Sequence, residues 1–314
     1  MAHSSFHKFI FGFCTSLLII TTLSHGEIGL PSEEHVSLFI FGDSIFDAGN
    51  NNYINTSLRA NFRPYGESFF KHPTGRFSDG RLISDFIAEY ANLPFIPPYL
   101  QPGNHQFTYG ANFASAGAGA LVETSQGLVI DLHSQLSYFE RVRESLTKNL
   151  GEEEANTLIS RAVYLFSVGG NDYSYIFGTN SSILRTQSHR EFVGTVLGNI
   201  TAAINEIYKK GGRKFGFLSL GPIGCHPALL VFQQPAGKIG TCREKLTEMA
   251  QIHNKAISEA LHALEIKLEG FRYSYFDFYT SMSERLNNPT KYGISNICGS
   301  SSFLFQTKLS CFIC

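Results

Sequence analysis

The sequence has few charged residues and no long apolar run, and these shortages exclude several classes of function. Only 16% of its 314 residues are charged, and the formal net charge of −1 provides no basic excess for nucleic acid or an anionic membrane. No stretch reaches the roughly 18 apolar residues of a membrane-spanning helix, so we expect no stable membrane insertion. Apolar residues make up 43%, which is typical of a globular protein with a sizeable core.

Residues 1–26 have the pattern of a secretory signal peptide. A weakly basic start precedes the apolar run Phe9–Leu23, and small and polar residues follow as far as Gly26. This run is short for a membrane span, so a retained anchor is the less favoured alternative. Glycosylation sequons at Asn55, Asn180 and Asn199 are consistent with export. We therefore expect a secreted, extracellular protein.

Cysteine is also scarce, and its count is odd once the signal peptide is removed. Without Cys14 five cysteines remain, so one thiol stays unpaired or pairs with another chain. Cys225 and Cys242 flank a loop rich in proline and glycine, which favours a local disulfide. Cys311 and Cys314 form a C-x-x-C motif without a second pair or a nearby histidine, and no cysteine spacing indicates a zinc site.

Short apolar segments rich in β-branched and aromatic residues alternate with amphipathic segments along the chain. The strand candidates are Val36–Phe41, Phe107–Phe113, Ala162–Val168, Phe215–Leu220 and Phe271–Phe278, and they have the composition of buried parallel strands. Four helices show apolar stripes: Leu82 to Tyr90, Leu132 to Leu146, Val193 to Ile207, and Leu246 to Leu268. Gly211-Gly212 is expected to end the third helix, and a capping box at Thr241–Glu244 to begin the fourth.

This alternation predicts βαβ units, and hence an α/β fold with a parallel sheet covered by helices on both faces. No linker or repeat interrupts it, so residues 27–299 are interpreted as one domain. In such sheets the site lies beyond the carboxyl ends of the strands. Three candidate strands end in small residues around a polar side chain: Gly42-Asp43-Ser44, Asn112–Gly119 and Ser167–Tyr173. Each one alone is an ordinary turn or cap; their recurrence at successive strand ends favours a site.

These segments resemble the conserved blocks of the plant GDSL esterase/lipase family, which belongs to the SGNH hydrolases. The first block is FGDSIFDAGN at 41–50, the second GANFASAGAG at 110–119 and the third GGND at 169–172. Further matches are PTGRFS at 73–78, LGPIGC at 220–225 and the stretch from Tyr275 to Gly293. The resemblance runs from about Val36 to Cys298. It implies a flavodoxin-like three-layer α/β sandwich with a five-stranded, mostly parallel sheet.

The resemblance also implies a catalytic serine and the groups that stabilise its transition state. Ser44 would attack an ester carbonyl, and the backbone N–H of Ser44, the N–H of Gly117 and the side chain of Asn171 would bind the oxyanion. Gly119 is the alternative to Gly117, and Ser115 is interpreted as a turn hydroxyl. The G-x-S-x-G elbow of α/β-hydrolases does not occur in the sequence, which argues against that fold.

The same family supplies its catalytic base from a D-x-x-H block near the C-terminus, and no such motif occurs in these 314 residues. After Asp277 the sequence has neither Asp nor His, and residues 300–314 resemble nothing in the family. We therefore expect a domain without its C-terminal block, followed by a divergent tail. Four histidines are candidates for a substitute base, and His226 is favoured among them because it lies in a loop after a strand: His133, His226, His253 and His262.

Two classes of function remain open from the sequence. The first is a secreted serine ester hydrolase of weak or no activity, acting on a small-molecule ester or lipid without a cofactor or metal. The second is a non-catalytic protein that keeps the pocket and binds acyl or glycan ligands. In either case we expect a monomer that does not bind nucleic acid.

Overall fold

The computed structural model describes residues 36–103, 106–179, 186–226 and 242–293. Within them the five predicted strands all form, each shorter than expected, and they build one sheet. The strands are β1 Leu38–Gly42, β2 Gly110–Asn112, β3 Val163–Ser167, β4 Lys214–Leu218 and β5 Arg272–Phe276. Every pairing between them is parallel, which confirms the predicted α/β fold. The predicted signal peptide and the tail at 300–314 lie outside the described residues.

The described residues contain seven α-helices, four of which coincide with the predicted apolar stripes. The helices are α1 Ile83–Tyr90, α2 Leu132–Leu150, α3 Glu152–Arg161, α4 Gly170–Gly178, α5 His189–Lys209, α6 Glu244–Lys267 and α7 Phe278–Asn287. Of these, α3, α4 and α7 were not predicted. None of the helices in the described ranges has the length and apolar content that crossing a membrane requires.

The strand order is β2-β1-β3-β4-β5, so the chain reverses its direction of progress across the sheet after β2. In this flavodoxin-like order β1 and β3 are neighbours, and the connections that leave their carboxyl ends diverge to opposite sides. The crevice between those ends is where ligands bind in doubly wound sheets.

The two faces of the sheet carry separate hydrophobic clusters, as three layers require. Phe39 and Phe41 of β1 point into a large cluster that includes buried residues of α2, α5 and α6. Leu38 and Ile40 point the other way, into a smaller cluster with Ile87 of α1. This alternation follows from the period of two along a strand, and it leaves β1 buried on both faces.

A row of phenylalanines crosses the first face just below the carboxyl ends of the strands. The ring centroids of Phe113 and Phe41 are 5.0 Å apart, those of Phe41 and Phe166 5.0 Å, and those of Phe166 and Phe217 5.2 Å. Each such pair contributes about 0.5–1.5 kcal/mol beyond the burial of its surface. Since Phe41 precedes Gly42 and Phe166 precedes Ser167, the packing of this row positions the loops that follow β1 and β3.

Strand β5 departs from the expectation that all five strands are buried. Arg272 is exposed and the other four residues of the strand are only half-buried. β5 is an edge strand that pairs only with β4 among the described residues, whereas the other edge strand, β2, is buried because the segment Pro97–Tyr99 bonds Asn112 along it.

The start of α6 corrects a second prediction, because the helix begins at Glu244 with Arg243 as its N-cap and no side-chain cap. Thr241, which was expected to cap it, lies outside the described residues. The predicted disulfide between Cys225 and Cys242 is present. The N–H of Arg243 also bonds the carbonyl oxygen of Gly224 at 2.8 Å. Tied in this way, Arg243 stays extended and the helix starts after it. The predicted stop of α5 is confirmed, since Gly211 has a φ of +107° just beyond the helix.

Candidate active site

The loops after β1 and β3 meet at the point where the connections of the sheet diverge. The last pair of the β1–β3 register joins Gly42 to Ser167, and the N–H of Asp43 continues the ladder with a 3.1 Å bond to the carbonyl oxygen of Ser167. On the other side of β1, the N–H of Ser115 bonds the carbonyl oxygen of Gly42 at 3.0 Å. The first, second and third sequence blocks therefore leave the sheet side by side.

Gly42 is the residue from which this arrangement starts, and only glycine fits there. Its φ is +143°, and a Cβ on it would lie 2.1 Å from the carbonyl oxygen of Ser167. Its backbone is held by the buried side chain of Gln135 in α2. The N–H of Gly42 donates to Oε1 at 2.8 Å, and Nε2 donates to the carbonyl oxygen of Gly42 at 2.9 Å. Because the side-chain amide pairs with both backbone groups of Gly42, β1 ends at this residue and the chain turns.

Ser44 follows two residues later, half-buried in the turn. The turn is closed by the carbonyl oxygen of Asp43, which accepts from the N–H groups of Phe46 at 3.1 Å and Asp47 at 2.9 Å. The N–H of Ile45 donates to Asp43 Oδ1 at 3.1 Å. Neither the N–H nor the hydroxyl of Ser44 bonds any group within the described ranges. The turn thus leaves the serine with a donor and a nucleophilic oxygen that are not used by the fold.

Gly117 and Gly119, the two candidates for the backbone N–H that binds the oxyanion, lie in different surroundings. Gly117 has a φ of +85°, and a Cβ on it would lie 2.6 Å from Leu58 Cδ1 and 3.0 Å from Val129 Cγ1. A Cβ on Gly119 would instead meet Asp172 Oδ1 at 2.3 Å. Gly119 is therefore required for packing against a carboxylate. Gly117 faces only the ends of apolar side chains, and its N–H bonds no group in the described part of the chain.

Asn171 lies in the first turn of α4, which was not predicted. The helix follows Gly169, which has a φ of +118°. A Cβ on Gly169 would lie 2.7 Å from the ring of His253. From this position Asn171 Nδ2 donates to the carbonyl oxygen of Ala118 at 2.9 Å. The third block is thereby joined directly to the second, next to Gly117.

Asp172 anchors the same two blocks from beneath. Its carboxylate accepts from the N–H of Ala120 at 2.8 Å, the N–H of Leu121 at 3.0 Å and the hydroxyl of Thr124 at 2.6 Å. Burial raises the pKa of Asp172 to about 6, although these three bonds lower it. The carboxylate holds the loop after Gly119 against α4, so its role is to position the donors above it.

The polar residues after Ser44 form a second buried network beneath the site. Asp47 accepts from the N–H groups of Gly49 and Asn50, each at 2.7 Å, and from the N–H of Ala116 at 2.9 Å. Asn50 Nδ2 donates to the carbonyl oxygens of Asn112 and Ala114, each at 2.8 Å. Since buried polar groups must be paired, the run Asp47–Asn51 ties the first block to the second at fixed spacing.

The carboxyl of Asp43 is buried next to Ser44. Burial raises its pKa to about 7, and Asp172 and then Asp47 add smaller contributions of the same sign. Near neutral pH this group is therefore partly protonated. Within the described residues no three His, Cys, Asp or Glu side chains are grouped as ligands for a metal ion.

The profile of the GDSL-like lipase/acylhydrolase family matches residues 38–297 of the chain. The chain belongs to the plant GDSL esterase/lipase family. It is similar to GDSL esterase/lipase 2 of Arabidopsis thaliana, with 56% identity over 261 residues that cover 82% of this chain and 69% of that protein. GDSL esterase/lipase 1 of the same plant is 54% identical over 84% of this chain and 72% of its own length. A GDSL lipase of Tanacetum cinerariifolium is 49% identical over 91% and 77%.

Since GDSL enzymes are serine hydrolases that need a base, the histidines matter most, and none of the four candidates hydrogen-bonds Ser44 within the described residues. His133 and His262 are exposed on α2 and α6. His226 ends the short helix Ile223–Cys225, and burial lowers its pKa. His253 is fully buried and lies 2.8 Å from the hydroxyl of Tyr173, and burial lowers its pKa to about 3.

The GDSL fold also uses residues that the sequence reasoning missed. Gln135, Asp172 and the asparagines at 50 and 51 hold the three blocks together through bonds to distant backbone groups. Arg76 and Asp85 form a buried ion pair, with Arg76 Nη1 also 3.3 Å from the carbonyl oxygen of Ala48. Asn50, Arg76 and Asp172 lie inside the matched blocks, which was their only sequence signal; Asn51, Asp85 and Gln135 lie outside them, and the partners of all six are not readable from spacing.

Proposed function

We propose that the chain is a serine carboxylic ester hydrolase in which Ser44 is the nucleophile. The observation that carries this proposal is the 2.9 Å bond from Asn171 Nδ2 to the carbonyl oxygen of Ala118. It uses one proton of the amide and leaves the other available to a ligand. Together with the unused N–H groups of Ser44 and Gly117, three donors are then available for one oxyanion.

The chemistry follows from these groups. Ser44 Oγ would attack the ester carbonyl carbon, the carbonyl oxygen would become an oxyanion, and the hydroxyl proton would pass to a base. Collapse of the intermediate would break the bond to the leaving oxygen, which would take the proton from the base and depart as the alcohol, leaving an acyl-enzyme. Water would then hydrolyse the acyl-enzyme to the carboxylic acid and free Ser44. Loss of one oxyanion donor typically costs about 100- to 1000-fold in turnover. The Asn171 amide suits this role because it donates without carrying charge.

Turnover by this polypeptide is proposed to be low. Its 314 residues contain no D-x-x-H motif, and no imidazole hydrogen-bonds Ser44 within the described residues. Removing the base of a serine hydrolase costs on the order of a million-fold, while the oxyanion hole and binding retain about a thousand- to ten-thousand-fold over water. We therefore expect hydrolysis of short acyl esters barely above background.

The test compares nitrophenyl acetate and butyrate hydrolysis by six proteins. These are the 314-residue chain and a graft that replaces its residues 300–314 with a segment bearing D-x-x-H, each without substitution, as a Ser44→Ala variant and as a Ser137→Ala control on the exposed face of α2. The graft should gain turnover that Ser44→Ala abolishes and Ser137→Ala preserves. A folded graft whose activity is insensitive to Ser44→Ala would overturn the proposal. Strong activity in the unmodified chain, lost with Ser44→Ala, would show that another residue serves as base.

A second function is favoured by the same lack of an imidazole at Ser44 in the described residues. The chain would then bind acyl or acetylated ligands in the pocket without turning them over. Ligand binding that survives Ser44→Ala, combined with an inactive graft, would support this alternative over the first.

We further propose that the protein is secreted, glycosylated and monomeric. The N-terminal apolar run supports export, and two of the three sequon asparagines, Asn55 and Asn199, are exposed; Asn180 lies outside the described residues. Endoglycosidase treatment of secreted material should increase its electrophoretic mobility, and light scattering should give the mass of one chain. Recovery of an unglycosylated cytosolic protein with Met1 intact would contradict the proposal.

A further inference from the structure

Gly117, the residue proposed to supply a backbone donor to the oxyanion, is the third residue of a tight turn. The N–H of Ala118 bonds the carbonyl oxygen of Ser115 at 3.0 Å, and Gly117 has a φ of +85°. Ala116, the second residue of the turn, does not have a positive φ. This combination is that of a type II β-turn, in which the third residue requires a positive φ and is therefore usually glycine.

The N–H of Gly117 belongs to the central peptide group of this turn. The same group contains the carbonyl of Ala116, and because the peptide is planar and trans the two point in opposite directions. A type I turn joins the same ends with its central peptide group rotated by about 180°, and glycine is compatible with both forms. In the type I form the N–H of Gly117 would point to the opposite side. The direction of the proposed donor therefore depends on the groups that hold this one peptide.

Asn51 holds the carbonyl end of the peptide. The buried Nδ2 of Asn51 donates to the carbonyl oxygen of Ala116 at 2.9 Å and to that of Leu58 at 2.7 Å. Its Oδ1 accepts from the hydroxyl of the buried Ser115 at 2.6 Å, and that hydroxyl accepts from the N–H of Ile130 at 3.0 Å. The hydroxyl that was interpreted from the sequence as part of a turn thus also fixes the orientation of the Asn51 amide.

Asp47 holds the other backbone polar group of Ala116. Its Oδ2 accepts from the N–H of Ala116 at 2.9 Å. Its Oδ1 accepts from the N–H groups of Gly49 and Asn50, each at 2.7 Å. All three partners are backbone N–H groups, which only donate, so a proton added to either oxygen would face a donor. The bonds at Oδ1 close a local turn, whereas the bond at Oδ2 spans 69 residues, and we expect the proton to displace the latter.

The carboxyl of Asp47 gains a proton near physiological pH. Its side chain is fully buried, and burial raises its pKa to about 6 although its backbone hydrogen bonds lower it. Among the charged groups near it, Asp43 and Asp172 titrate in the same range. Arg59 and Arg76, which bond the carbonyl oxygens of residues 51 and 48, stay charged. The second block, residues 110–119, contains no titratable side chain.

We propose that Asp47 and Asn51 are positioning residues that direct the N–H of Gly117 towards the oxyanion, and that Asp47 does so only while it is ionised. This inference rests on the proposed function, because it takes that N–H to be an oxyanion donor. Protonation of Asp47 releases the N–H of Ala116 and leaves Asn51 to hold the turn. As pH falls, a growing share of molecules then has the N–H of Gly117 turned away, and the site loses one of its three donors.

The first test observes this peptide group by NMR and requires no turnover. Labelling with 13C-carbonyl alanine and 15N-glycine restricts the signals to the four Ala-Gly pairs of the sequence, of which Ala116-Gly117 is one. In the folded 314-residue chain the carbonyl carbon of Ala116 and the N–H of Gly117 should shift together between pH 8 and 5, with a midpoint near pH 6. Asp47→Asn, whose amide can place a donor where the acid proton would be, should give the low-pH position throughout.

The other two buried carboxyls provide the controls for this titration. Asp43→Asn and Asp172→Asn each remove a negative charge from the same region, so the midpoint of the titration should stay or move to lower pH. A titration that is lost in either of them and kept in Asp47→Asn would contradict the role of Asp47.

Asn50→Ala is the matched control for Asn51→Ala. Both asparagines are buried, and each donates to two carbonyl oxygens, but those that Asn50 bonds belong to residues 112 and 114, before the turn. Both variants should lower the free energy of unfolding. Only Asn51→Ala should move the Gly117 signal, which a merely structural role of Asn51 would not produce.

The second test measures the oxyanion hole with butaneboronic acid. At pH 8 the oxygen of Ser44 bonds to boron, its proton passes to the buffer, and boron becomes a tetrahedral anion with an oxygen where the oxyanion would lie. The calorimetric Kd should rise by about tenfold or more in Asp47→Asn and Asn51→Ala. It should stay within about twofold in Asn50→Ala, and binding should be lost in Ser44→Ala.

The outcomes separate the inference from the proposed function. Ser44-dependent binding of the boronic acid that Asp47→Asn and Asn51→Ala both leave unchanged overturns the positioning role and leaves the function standing. A Gly117 signal that moves in both variants, without Ser44-dependent binding in the wild type, supports the hold on the turn and contradicts the function. A wild-type signal that does not change between pH 8 and 5 overturns the role of the ionised carboxylate, even where a variant does not fold.

Discussion

The hydroxyl oxygen of Tyr173 and Nδ1 of His253 lie 2.8 Å apart, and both side chains are buried. Burial lowers the pKa of His253 to about 3 and raises the pKa of Tyr173 far above its usual value. Both groups therefore stay neutral at physiological pH, with the hydroxyl able to donate to the ring. The pair joins α4, which carries Asn171, to α6. This histidine therefore holds the helix of Asn171 against α6, and its low pKa makes it a weak base.

The first prediction concerns the acid side of the stability profile. Because the folded pKa of His253 lies below its ordinary value of about 6.5, the unfolded chain binds its proton first as pH falls. The stability that it contributes is complete above about pH 6.5 and is lost towards about pH 3, on the order of 2 to 4 kcal/mol. Urea unfolding at a series of pH values should show this loss in the wild type and less of it in His253→Gln. The exposed His262→Gln, on the same helix, should behave as wild type; an identical loss in all three would refute the assignment.

Asp43 is predicted to make stability depend on pH in the opposite direction, so that stability falls as pH rises. Its folded pKa of about 7 exceeds the ordinary 3.8, so the folded state retains the proton over that interval. Its contribution to stability is complete below about pH 4 and is lost as pH rises to about 7, on the order of 1 to 4 kcal/mol. Asp43→Asn should remove this loss in urea unfolding, whereas Asp277→Asn, at the exposed N-cap of α7, should not. If Asp43→Asn leaves the dependence between pH 4 and 7 unaltered, the carboxyl is ionised in the fold.

Gly42→Ala is predicted to be severely destabilising. The new methyl group would lie 2.1 Å from the carbonyl oxygen of Ser167, and the positive φ adds strain, so β1 and β3 would have to separate where the site begins. A loss of about 3 kcal/mol or more of unfolding free energy is expected. Gly194→Ala is the control: Gly194 is exposed within α5 and a Cβ there meets nothing within 4 Å. It should gain about 0.5–1 kcal/mol. A mild effect of Gly42→Ala would mean that the two strand ends are less tightly joined than described.

Arg76 and Asp85 form a buried ion pair. Replacing Arg76 alone is predicted to lower the free energy of unfolding more than replacing both residues with neutral ones. Arg76→Met leaves a buried carboxylate unpaired and should destabilise the fold by about 3–5 kcal/mol. Adding Asp85→Asn, which still accepts from the N–H of Leu82, should recover a large part of this loss. Arg63→Met, which breaks an exposed pair with Glu67, should cost less than about 1 kcal/mol. A double variant no more stable than Arg76→Met would show that the charge of Asp85 is not the source of the loss.

Local sequence patterns predicted the elements that are apolar enough to reveal their period. The five strands and the helices α1, α2, α5 and α6 were identified because each carries an apolar run or an apolar stripe in its sequence. The helices α3, α4 and α7 were missed for physical reasons. Three glutamates open α3 and only Ala155 and Ile159 are buried in it. The helix α4 begins among glycine, asparagine and aspartate, which favour turns. In α7 no residue is buried.

The residues of the candidate site were likewise predicted only in part. Ser44, Gly117 and Asn171 were predicted because motifs at strand ends and a family resemblance point to them, and their catalytic roles remain a prediction. The partners that position them were not predicted, since hydrogen bonds such as those of Gln135 to Gly42 and Asp172 to Ala120 span 93 and 52 residues. No local pattern records which distant backbone group a buried amide or carboxylate will meet.

The sequence by itself determined that this protein has an α/β fold, which segments form its sheet and where α5 ends, and it favoured the disulfide between Cys225 and Cys242. These are consequences of period, propensity and short loops, all of which act over a few residues to a few tens of residues. Only the tertiary structure decided the strand order β2-β1-β3-β4-β5, the exposure of β5, the different surroundings of Gly117 and Gly119, and the placement of Leu58 and Val129 beside the former. Those features depend on which long-range contacts satisfy every buried polar group at once, and that condition is set by the assembled fold.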